Sequence, residues 1–233
     1  MDQLFNKIET VEFIQVYFEK TDWYMLNRDL KNILNENLSD NKQELENIVI
    51  TGKVHIGSNC QIGPFTFIEG PVFIGDNVEI GPGVHIRPGS VISDNCVVGH
   101  ASEVKNSLMM SGSKTANHNL VADSIMGVKA RIGGHSETAN RRFDQQPITW
   151  NFKKGEVETG IDKLGAIIGE EARVGGDVML SPGTVVGMKT FISSGISVGG
   201  YIPAHKFVKV KTEIITTDNK FEGELHNKSK LFG

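Results

Sequence analysis

The sequence predicts an all-β fold, a parallel β-solenoid, and three observations lead to it. Aliphatic residues recur every six positions through most of the chain, glycine directly follows many of them, and a small or β-branched residue often stands two positions before. A period of six matches neither the 3.6-residue repeat of a helix nor the two-residue alternation of a strand alone. It fits a short strand and a tight turn, repeated along the chain.

The six-residue repeat falls into two runs, and three repeats would make one triangular coil of 18 residues. Coils would stack at about the strand spacing of 4.8 Å. Glycine is about 11% of the chain against an average of about 7%, and we expect it to relieve the backbone at the corners. The repeated aliphatic residues are Ile50, Ile56, Ile62, Ile68, Ile74, Ile80, Ile86, Ile92, Val98 and Val104, then Ile168, Val174, Leu180, Val186, Ile192 and Val198.

Three parts of the chain are predicted: a helical cap over 1–48, the β-solenoid over 49–205 and a C-terminal tail over 206–233. The first part lacks the repeat, and VEFIQVYFEK and DWYMLNRDLKNILNENL carry apolar residues at helical spacing. We expect one or two amphipathic helices to cap the first coil, because an end coil otherwise exposes apolar side chains and strand edges.

The repeat is interrupted in its second half. Its phase slips between Met110 and Met126, resumes at Ile132, and is lost again over 139–164, where a charged segment carries a proline and a tryptophan. Ile132 and Ile168 differ by 36 residues, the length of two coils, so we expect the coil phase to survive. The segment over 139–164 is therefore predicted to be a loop excursion from a continuous solenoid.

Composition and charge exclude several classes of protein. A net charge of −4 argues against a nucleic-acid partner, and no apolar run approaches the roughly 20 residues of a membrane span. The first residues lack the basic and apolar regions of a signal peptide. Cys60 and Cys96 would lie two coils apart, about 9.6 Å, which is too far for a disulfide. We therefore expect two core cysteines and a cytoplasmic protein without a membrane partner.

Motif searches give no nucleotide loop, no nucleophile elbow and no metal site. GxxxxGK[ST] and HExxH are absent, the GxSxG match over 195–199 (GISVG) falls within the six-residue repeat, and the seven histidines show no metal-ligand spacing. The chemistry therefore has to come from side chains that the coils bring together.

Two segments resemble a known family more specifically than the six-residue repeat alone does. They are GPGVHIRPGSVISDNCVVGHASEVKNSLMMSGSKTANHNLVADSIMG and KLGAIIGEEARVGGDVMLSPGTVVG. These segments resemble the acetyltransferase half of bifunctional UDP-N-acetylglucosamine pyrophosphorylase/glucosamine-1-phosphate acetyltransferases, most of all the archaeal sugar-phosphate nucleotidylyltransferases. The resemblance covers about residues 70–205 and lacks the nucleotidylyltransferase half. It implies a left-handed β-helix of the hexapeptide acyltransferase type, a homotrimer with sites between subunits, and acetyl-CoA or another acyl-CoA as co-substrate.

The resemblance also implies a set of site residues. The family's sugar-phosphate arginine, in an RPG context, matches Arg87, and its EVK-type lysine matches Lys105; such a pair can clamp a phosphate. The asparagine at the start of the loop excursion matches Asn140. The small residues that let acyl-CoA approach the backbone match Gly134, Gly176 and Ser194.

The position of the catalytic base departs from the family. Members read roughly K-x-x-H-L-x-Y-x-G-D, whereas this chain reads KTANHNLVAD, with Asn117 at the histidine position and Leu120 at the tyrosine position. An amide cannot act as a general base near pH 7. His118 comes one residue late, and neighbouring side chains on a strand point to opposite faces. Arg131 replaces a second substrate asparagine of the family.

Two functions stay open on these residues. One is an acyl-CoA-dependent acyltransferase of the nucleotide-sugar pathway that acts on an amino sugar or sugar phosphate, with a substrate altered from glucosamine 1-phosphate and with His118 as the candidate base. The other is a catalytically degraded β-helix, a binding or regulatory subunit that partners a separate sugar nucleotidylyltransferase. A chain that keeps the phosphate-binding residues but lacks the catalytic base would suit this second function.

Overall fold

The repeat forms a three-sided parallel β-solenoid, which confirms the predicted fold class. The computed structural model describes residues 4–20, 25–41, 45–152 and 155–218. Each side of the solenoid is an eight-stranded sheet in which every strand pairs in parallel with strands one coil away. The left hand of the coil, which the resemblance implies, stays a prediction.

Each coil contributes one short strand to each of three sheets, here called A, B and C. Sheet A contains β1 (Val49–Thr51), β4 (Phe67–Glu69), β7 (His85–Arg87), β10 (Glu103–Lys105), β13 (Leu120–Ala122), β16 (Glu137–Thr138), β21 (Met179–Leu180) and β24 (Ser197–Val198). Sheet B contains β2 (Val54–Ile56), β5 (Val72–Ile74), β8 (Ser90–Ile92), β11 (Leu108–Met109), β14 (Ile125–Met126), β19 (Ala166–Ile168), β22 (Thr184–Val186) and β25 (Tyr201–Ile202). Sheet C contains β3 (Gln61–Ile62), β6 (Glu79–Ile80), β9 (Val97–Val98), β12 (Lys114–Thr115), β15 (Arg131–Ile132), β20 (Arg173–Val174), β23 (Phe191–Ile192) and β26 (Phe207–Val208).

The repeated aliphatic residues point into the solenoid and form its core. On sheet A, Ile68, Ile86, Val104 and Val121 have no exposed surface, while their neighbours along each strand face outward. Full burial of each such side chain contributes about 1.5–3 kcal/mol. The outward residues on either side of each core position are therefore the ones available for function.

Shorter coils explain why the six-residue phase slips. Ile86 pairs with Val104, 18 residues on, but Val104 pairs with Val121 after only 17. Near the end, Val185 pairs with Tyr201 after only 16. Because the missing residues come from corners, the strands keep facing the core. The solenoid thus continues to Val208, past the predicted boundary at residue 205.

The expected coil phase across the excursion is wrong. Ile132 pairs with Val174 in sheet C, whereas Ile168 pairs with Met126 in sheet B. The 36 residues between Ile132 and Ile168 therefore do not join equivalent positions. Both observed pairs are 42 residues apart, because the excursion is inserted into that coil.

The excursion itself is confirmed as a departure from a continuous solenoid. The chain leaves after β16 and returns at β19, and between them β17 (Thr149–Phe152) and β18 (Gly155–Glu158) form an antiparallel hairpin. Ile148 and Trp150 are buried at 2% and 1% exposure in the apolar cluster that covers sheet B. The excursion is therefore anchored on sheet B.

The two predicted helices are present, but they lie along the outside of sheet B and not over the end of the solenoid. They are α1 (Glu12–Lys20) and α2 (Leu26–Asn37), and neither described helix is long enough to cross a membrane. Leu26, Leu30 and Leu34 of α2 are fully buried in one cluster with the outward-facing Leu108 and Ile125. Because sheet B is apolar on both faces, its outer face needs this cover.

The segment after α2 covers the first edge of sheet B. The side-chain amide of Asn41 donates to the carbonyl of Ile56 at 3.0 Å and accepts from its N–H at 2.7 Å. The backbone N–H of Asn41 donates to Val54 at 3.1 Å. These bonds occupy backbone groups that would otherwise form an open strand edge.

The glycine that follows many of the core residues serves close stacking of coils and not the corner conformation expected for it. A Cβ on Gly99 would lie 2.4 Å from the carbonyl oxygen of Ala116 in the next coil. Positive φ occurs at other corner positions, such as Asn59, Asn77 and Asn95, at 56°, 55° and 60°. Asparagine tolerates this region better than other side chains.

The cysteines are both free and lie two coils apart, as predicted. Cys96 has no exposed surface, and Cys60 is half-buried. Burial raises the pKa of the Cys96 thiol to about 11 and also raises the pKa of the Cys60 thiol. Both are therefore core residues with weakly reactive thiols.

Candidate functional site

Two candidate phosphate ligands lie side by side at the end of sheet A. Arg87 is the last residue of β7, Lys105 is the last residue of β10, and the two are register partners one coil apart. Both point outward because the residues before them, Ile86 and Val104, fill the core. The structure therefore brings this predicted pair together.

The two cations differ in how firmly they are paired. Arg87 Nη1 lies 2.8 Å from Glu103 Oε1, with side chains 40% and 35% exposed. Lys105 Nζ lies 2.9 Å from Asp123 Oδ2, with side chains only 18% and 5% exposed. Arg87 is thus the accessible cation, whereas Lys105 is part of a buried corner.

Asp123 is the centre of that corner and was not among the site residues predicted from the sequence. Besides Lys105, it accepts hydrogen bonds from the side-chain amides of Asn106 at 2.7 Å and Asn140 at 2.6 Å. Asn140, predicted to bind substrate, is therefore next to Lys105. The aspartate that ends the motif KTANHNLVAD was the available signal.

Helix α2 closes the same corner from outside. The side chain of Asn27 donates to the carbonyl oxygens of Asn106 at 2.9 Å and Ser124 at 3.3 Å, and Asn106 donates back to the carbonyl of Asn27 at 2.8 Å. Asn27 is 3% exposed. The N-terminal helix thereby fixes the backbone next to Lys105 and Asp123.

Asn117 and His118 lie at the corner between β12 and β13 and face different sides of it. Asn117 borders a hollow on the outside of sheet C, and its Oδ1 accepts the backbone N–H of His100 at 3.0 Å. His118, with φ of 58°, borders a shallow groove along sheet A with Glu103 and Leu120. The exposed His118 imidazole thus lies on the sheet that carries Arg87.

Three histidine rings contact one another along this corner, edge-to-face between His100 and His118 and stacked between His118 and His135. The ring centroids of His100 and His118 are 5.1 Å apart, and those of His118 and His135 are 5.0 Å apart. His135 Nδ1 is 3.8 Å from Asp177 Oδ1, beyond hydrogen-bond range. Across the described ranges, no three His, Cys, Asp or Glu side chains are arranged to hold a metal ion.

The predicted acyl-donor residues form one column with Asn117. Successive coils stack Asn117, Gly134, Gly176 and Ser194 along the corner of sheets C and A. The N–H of Gly176 donates to Ser194 Oγ at 3.1 Å. Gly134 and Gly176 leave bare backbone beside Asn117, a surface that a long thin ligand can approach closely.

Arg131 is separate from the other predicted substrate residues. It lies on sheet C, where its register partners are Lys114 and Arg173, and all three side chains are exposed. Arg87 and Lys105 are on sheet A. Within one chain the structure therefore does not bring Arg131 to the acceptor residues; it places it in a column of three cations.

A second functional candidate missed from the sequence is a histidine–carboxylate pair on sheet A. His85 Nε2 lies 2.6 Å from Glu69 Oε2, and both side chains are 35% exposed. His85 stands two residues before Arg87 on the same strand. The outward positions on either side of core Ile86 were the available signal.

Among the relatives of this chain are proteins that align over most of its length. One is an uncharacterized acetyltransferase, YaiX, of Escherichia coli, 33% identical over 197 residues, which are 83% of this chain and 85% of that protein. The bifunctional protein GlmU of Methanococcus vannielii is 38% identical over 114 residues, 49% of this chain and 27% of GlmU. The chain thus spans about a quarter of the length of the archaeal relatives that it matches.

A solved structure with a similar chain is a hexapeptide transferase family protein from Anaplasma phagocytophilum. It is 17% identical, with a TM-score of 0.34, and the match covers 72% of this chain and 87% of that chain. The family model for the GMPPB C-terminal domain matches residues 68–194. Because that match spans more than half of the sequence, the chain belongs to the GMPPB C-terminal domain family.

Proposed function

We propose that this protein is an acyltransferase that moves an acyl group from acetyl-CoA or another acyl-CoA to an amino sugar or sugar phosphate. The observation that carries the proposal is the corner at residues 117 and 118. There the column of Gly134 and Gly176 ends beside the groove of sheet A, which His118 borders. A relative that aligns over most of the chain is named an acetyltransferase.

The acceptor phosphate is expected to bind Arg87. Its guanidinium uses Nη1 for Glu103, so other N–H groups remain for phosphate oxygens. Lys105 adds positive charge next to it but stays paired with Asp123. Asn140 is held by the same Asp123 and can contact the acceptor from the edge of this corner.

The acyl donor is expected to follow the column of Gly134, Gly176 and Ser194. Side chains are small or missing there, so the donor chain can lie against backbone. The acyl group would then enter the groove of sheet A that Glu103 and His118 border, and His118 is the base that its place in the motif suggests. Asn117 cannot take a proton, and its side-chain oxygen bonds to the backbone of His100.

We further propose a homotrimer whose sites lie between subunits. Sheet C exposes Lys114, Arg131 and Arg173, and sheet A carries the partly exposed Glu103 and Glu137 in the same coils as Lys114 and Arg173. If sheet C of one subunit faces sheet A of the next across a rotation axis, these opposite charges meet at the same level of the solenoid. In that arrangement Arg131 reaches the acceptor groove of the neighbouring subunit.

A second function has one observation in its favour. Because Asn117 holds the backbone of His100, it has a structural use that does not require catalysis. A binding or regulatory subunit that partners a sugar nucleotidylyltransferase would keep Arg87 and Lys105 for ligand while doing without a base.

One assay separates the two functions. Thiol release from acetyl-CoA is followed with glucosamine 1-phosphate and a panel of amino sugars and sugar phosphates, and binding of the same compounds is measured by calorimetry. Turnover with any of them supports the acyltransferase. Binding of a sugar phosphate without thiol release, from acetyl-CoA or from longer acyl-CoA donors tested in the same way, would refute the first function and favour the second.

A further inference from the structure

His85 is held by a carboxylate in a way that no other histidine of the described ranges is. Its Nε2 lies 2.6 Å from Glu69 Oε2, on the preceding coil of sheet A. His100 is bonded to the carbonyl of Pro82, and His135 is 3.8 Å from Asp177. A carboxylate only accepts, so His85 Nε2 carries the proton, and Nδ1 of the neutral ring keeps a lone pair.

The imidazole plane of His85 is also fixed by its coil neighbours. The ring of Phe67 stacks on it with centroids 5.1 Å apart and planes 11° apart. On the other side its register partner is Glu103, whose carboxylate is bonded to Arg87. Four neighbours, Phe67, Glu69, Glu103 and Arg87, thus surround an oriented and partly exposed base.

The distance from His85 to Arg87 suits an amino sugar phosphate. The two residues lie on the same face of β7, and two strand residues span about 6.6 Å. One sugar ring separates the amine and the phosphate of such a ligand. Arg87 is at the carboxyl end of β7, whereas His118 precedes the amino end of β13, two coils further along the solenoid. An acceptor held by Arg87 of the same chain therefore meets His85 before His118.

We propose that His85 is the general base for an acceptor bound to Arg87 and that Glu69 is its positioning residue. The inference rests on the proposed acyltransferase function and changes its base from His118 to His85. The acceptor nitrogen forms a bond to the acyl carbon, and the bond from that carbon to sulfur breaks. His85 Nδ1 takes the amine proton and returns it to the thiolate that leaves.

The test compares four variants of the full chain in the thiol-release assay. His85→Ala is expected to lower kcat about 10²–10⁴-fold with a smaller change in acceptor KM, as for loss of a general base. His118→Ala is expected to lower kcat less than His85→Ala does, because His118 lies two coils from an acceptor held by Arg87 of the same chain. Glu69→Gln keeps a hydrogen-bond acceptor, loses the charge, and is expected to lower kcat about 10-fold.

His55→Ala is the matched control. His55 stacks on Phe73 with centroids 5.0 Å apart and planes 4° apart, so its loss removes the same type of stacked pair from sheet B. It is expected to leave kcat unchanged. Circular dichroism and thermal melting of every variant show whether a loss of activity comes from unfolding.

Added imidazole gives a readout that a structural role would not move. It is expected to restore part of the rate of His85→Ala and to have no effect on His55→Ala. A His85→Ala protein that folds and keeps the wild-type kcat, while His118→Ala loses it, overturns the inference and leaves the acyltransferase function standing. Absence of turnover in the wild type with every acceptor overturns both.

Discussion

Lys105 Nζ lies 2.9 Å from Asp123 Oδ2 in a corner where the side chain of Asp123 is 5% exposed. The same carboxylate accepts hydrogen bonds from the side chains of Asn106 and Asn140. A buried charge is tolerated only when it is paired and hydrogen-bonded. One carboxylate therefore holds three donors at the end of sheet A.

Asp123→Asn is expected to lower the free energy of unfolding by about 2–3 kcal/mol, because it leaves the largely buried ammonium of Lys105 without a counter-ion. The backbone is not the cause, since asparagine accepts the φ of 48° at this position. Urea denaturation followed by circular dichroism measures the change.

The control for this loss is an exposed ion pair. Arg142 Nη2 lies 2.6 Å from Asp144 Oδ2 in the excursion, with side chains 45% and 51% exposed. Asp144→Asn is expected to leave the urea midpoint unchanged, because exposed pairs add little to stability. Equal losses in the two variants would contradict the special role of the Asp123 corner.

The sequence predicted the solenoid because its core repeats at a fixed period. Ile86 and Val104 could be assigned to the core from spacing alone, since each coil repeats the same inward position. Where corners shorten, the spacing no longer identifies the sheet, as at Ile132 and Ile168. Coil length depends on the shape of each corner, and a six-residue period carries no information on that shape.

The candidate site was harder to predict than the fold. Arg87 and Lys105 are neighbours because they occupy the same position in successive coils, which spacing could indicate. Asp123 could not be predicted as a site residue, because its role depends on its burial and on the three side-chain bonds that it accepts. Both depend on the 17-residue coil that precedes it. The bond from His85 to Glu69 could not be predicted from the spacing, because it joins residues at different positions of neighbouring strands.

Gly99→Ala is expected to destabilise the protein by at least about 3 kcal/mol, at the upper end of overpacking costs. The added Cβ would lie 2.4 Å from the backbone carbonyl of Ala116, which cannot move without shifting a coil. Gly134→Ala is the control, because the nearest atom to a Cβ added there would be the carbonyl oxygen of Asn117, at 3.3 Å. Thermal melting should separate the two variants, and similar melting temperatures would refute the stacking explanation.

The two cysteines are expected to react with a thiol reagent at very different rates. The pKa of Cys96, raised to about 11 by burial, leaves almost no thiolate at pH 8, and the side chain has no exposed surface. Cys60 is half-buried and should react first. Colour release from an aromatic disulfide should show one thiol in the native protein and two after denaturation.

Cys60→Ser assigns the faster thiol. This variant is expected to lose the native reaction and keep the one that follows denaturation. Two thiols of equal rate in the native wild type would be inconsistent with a buried Cys96.

A mixture of two variants, each weakened in acceptor binding, tests whether acceptor sites lie between subunits. Arg87→Ala and Arg131→Ala are each expected to raise acceptor KM about 10–100-fold, because a charge-assisted hydrogen bond contributes about 1.5–3 kcal/mol. Arg87 and Arg131 lie on different sheets of one chain. If each site combines Arg87 of one subunit with Arg131 of the next, randomly mixed trimers contain intact sites at about one position in four.

Mixing the variants in equal amounts, with unfolding and refolding together, should therefore restore about a quarter of the wild-type rate at low acceptor concentration. Each variant refolded alone is the control, and light scattering confirms the trimer. A mixture no more active than the average of the two variants would show that Arg87 and Arg131 do not share a site, and a monomer would exclude the shared site directly.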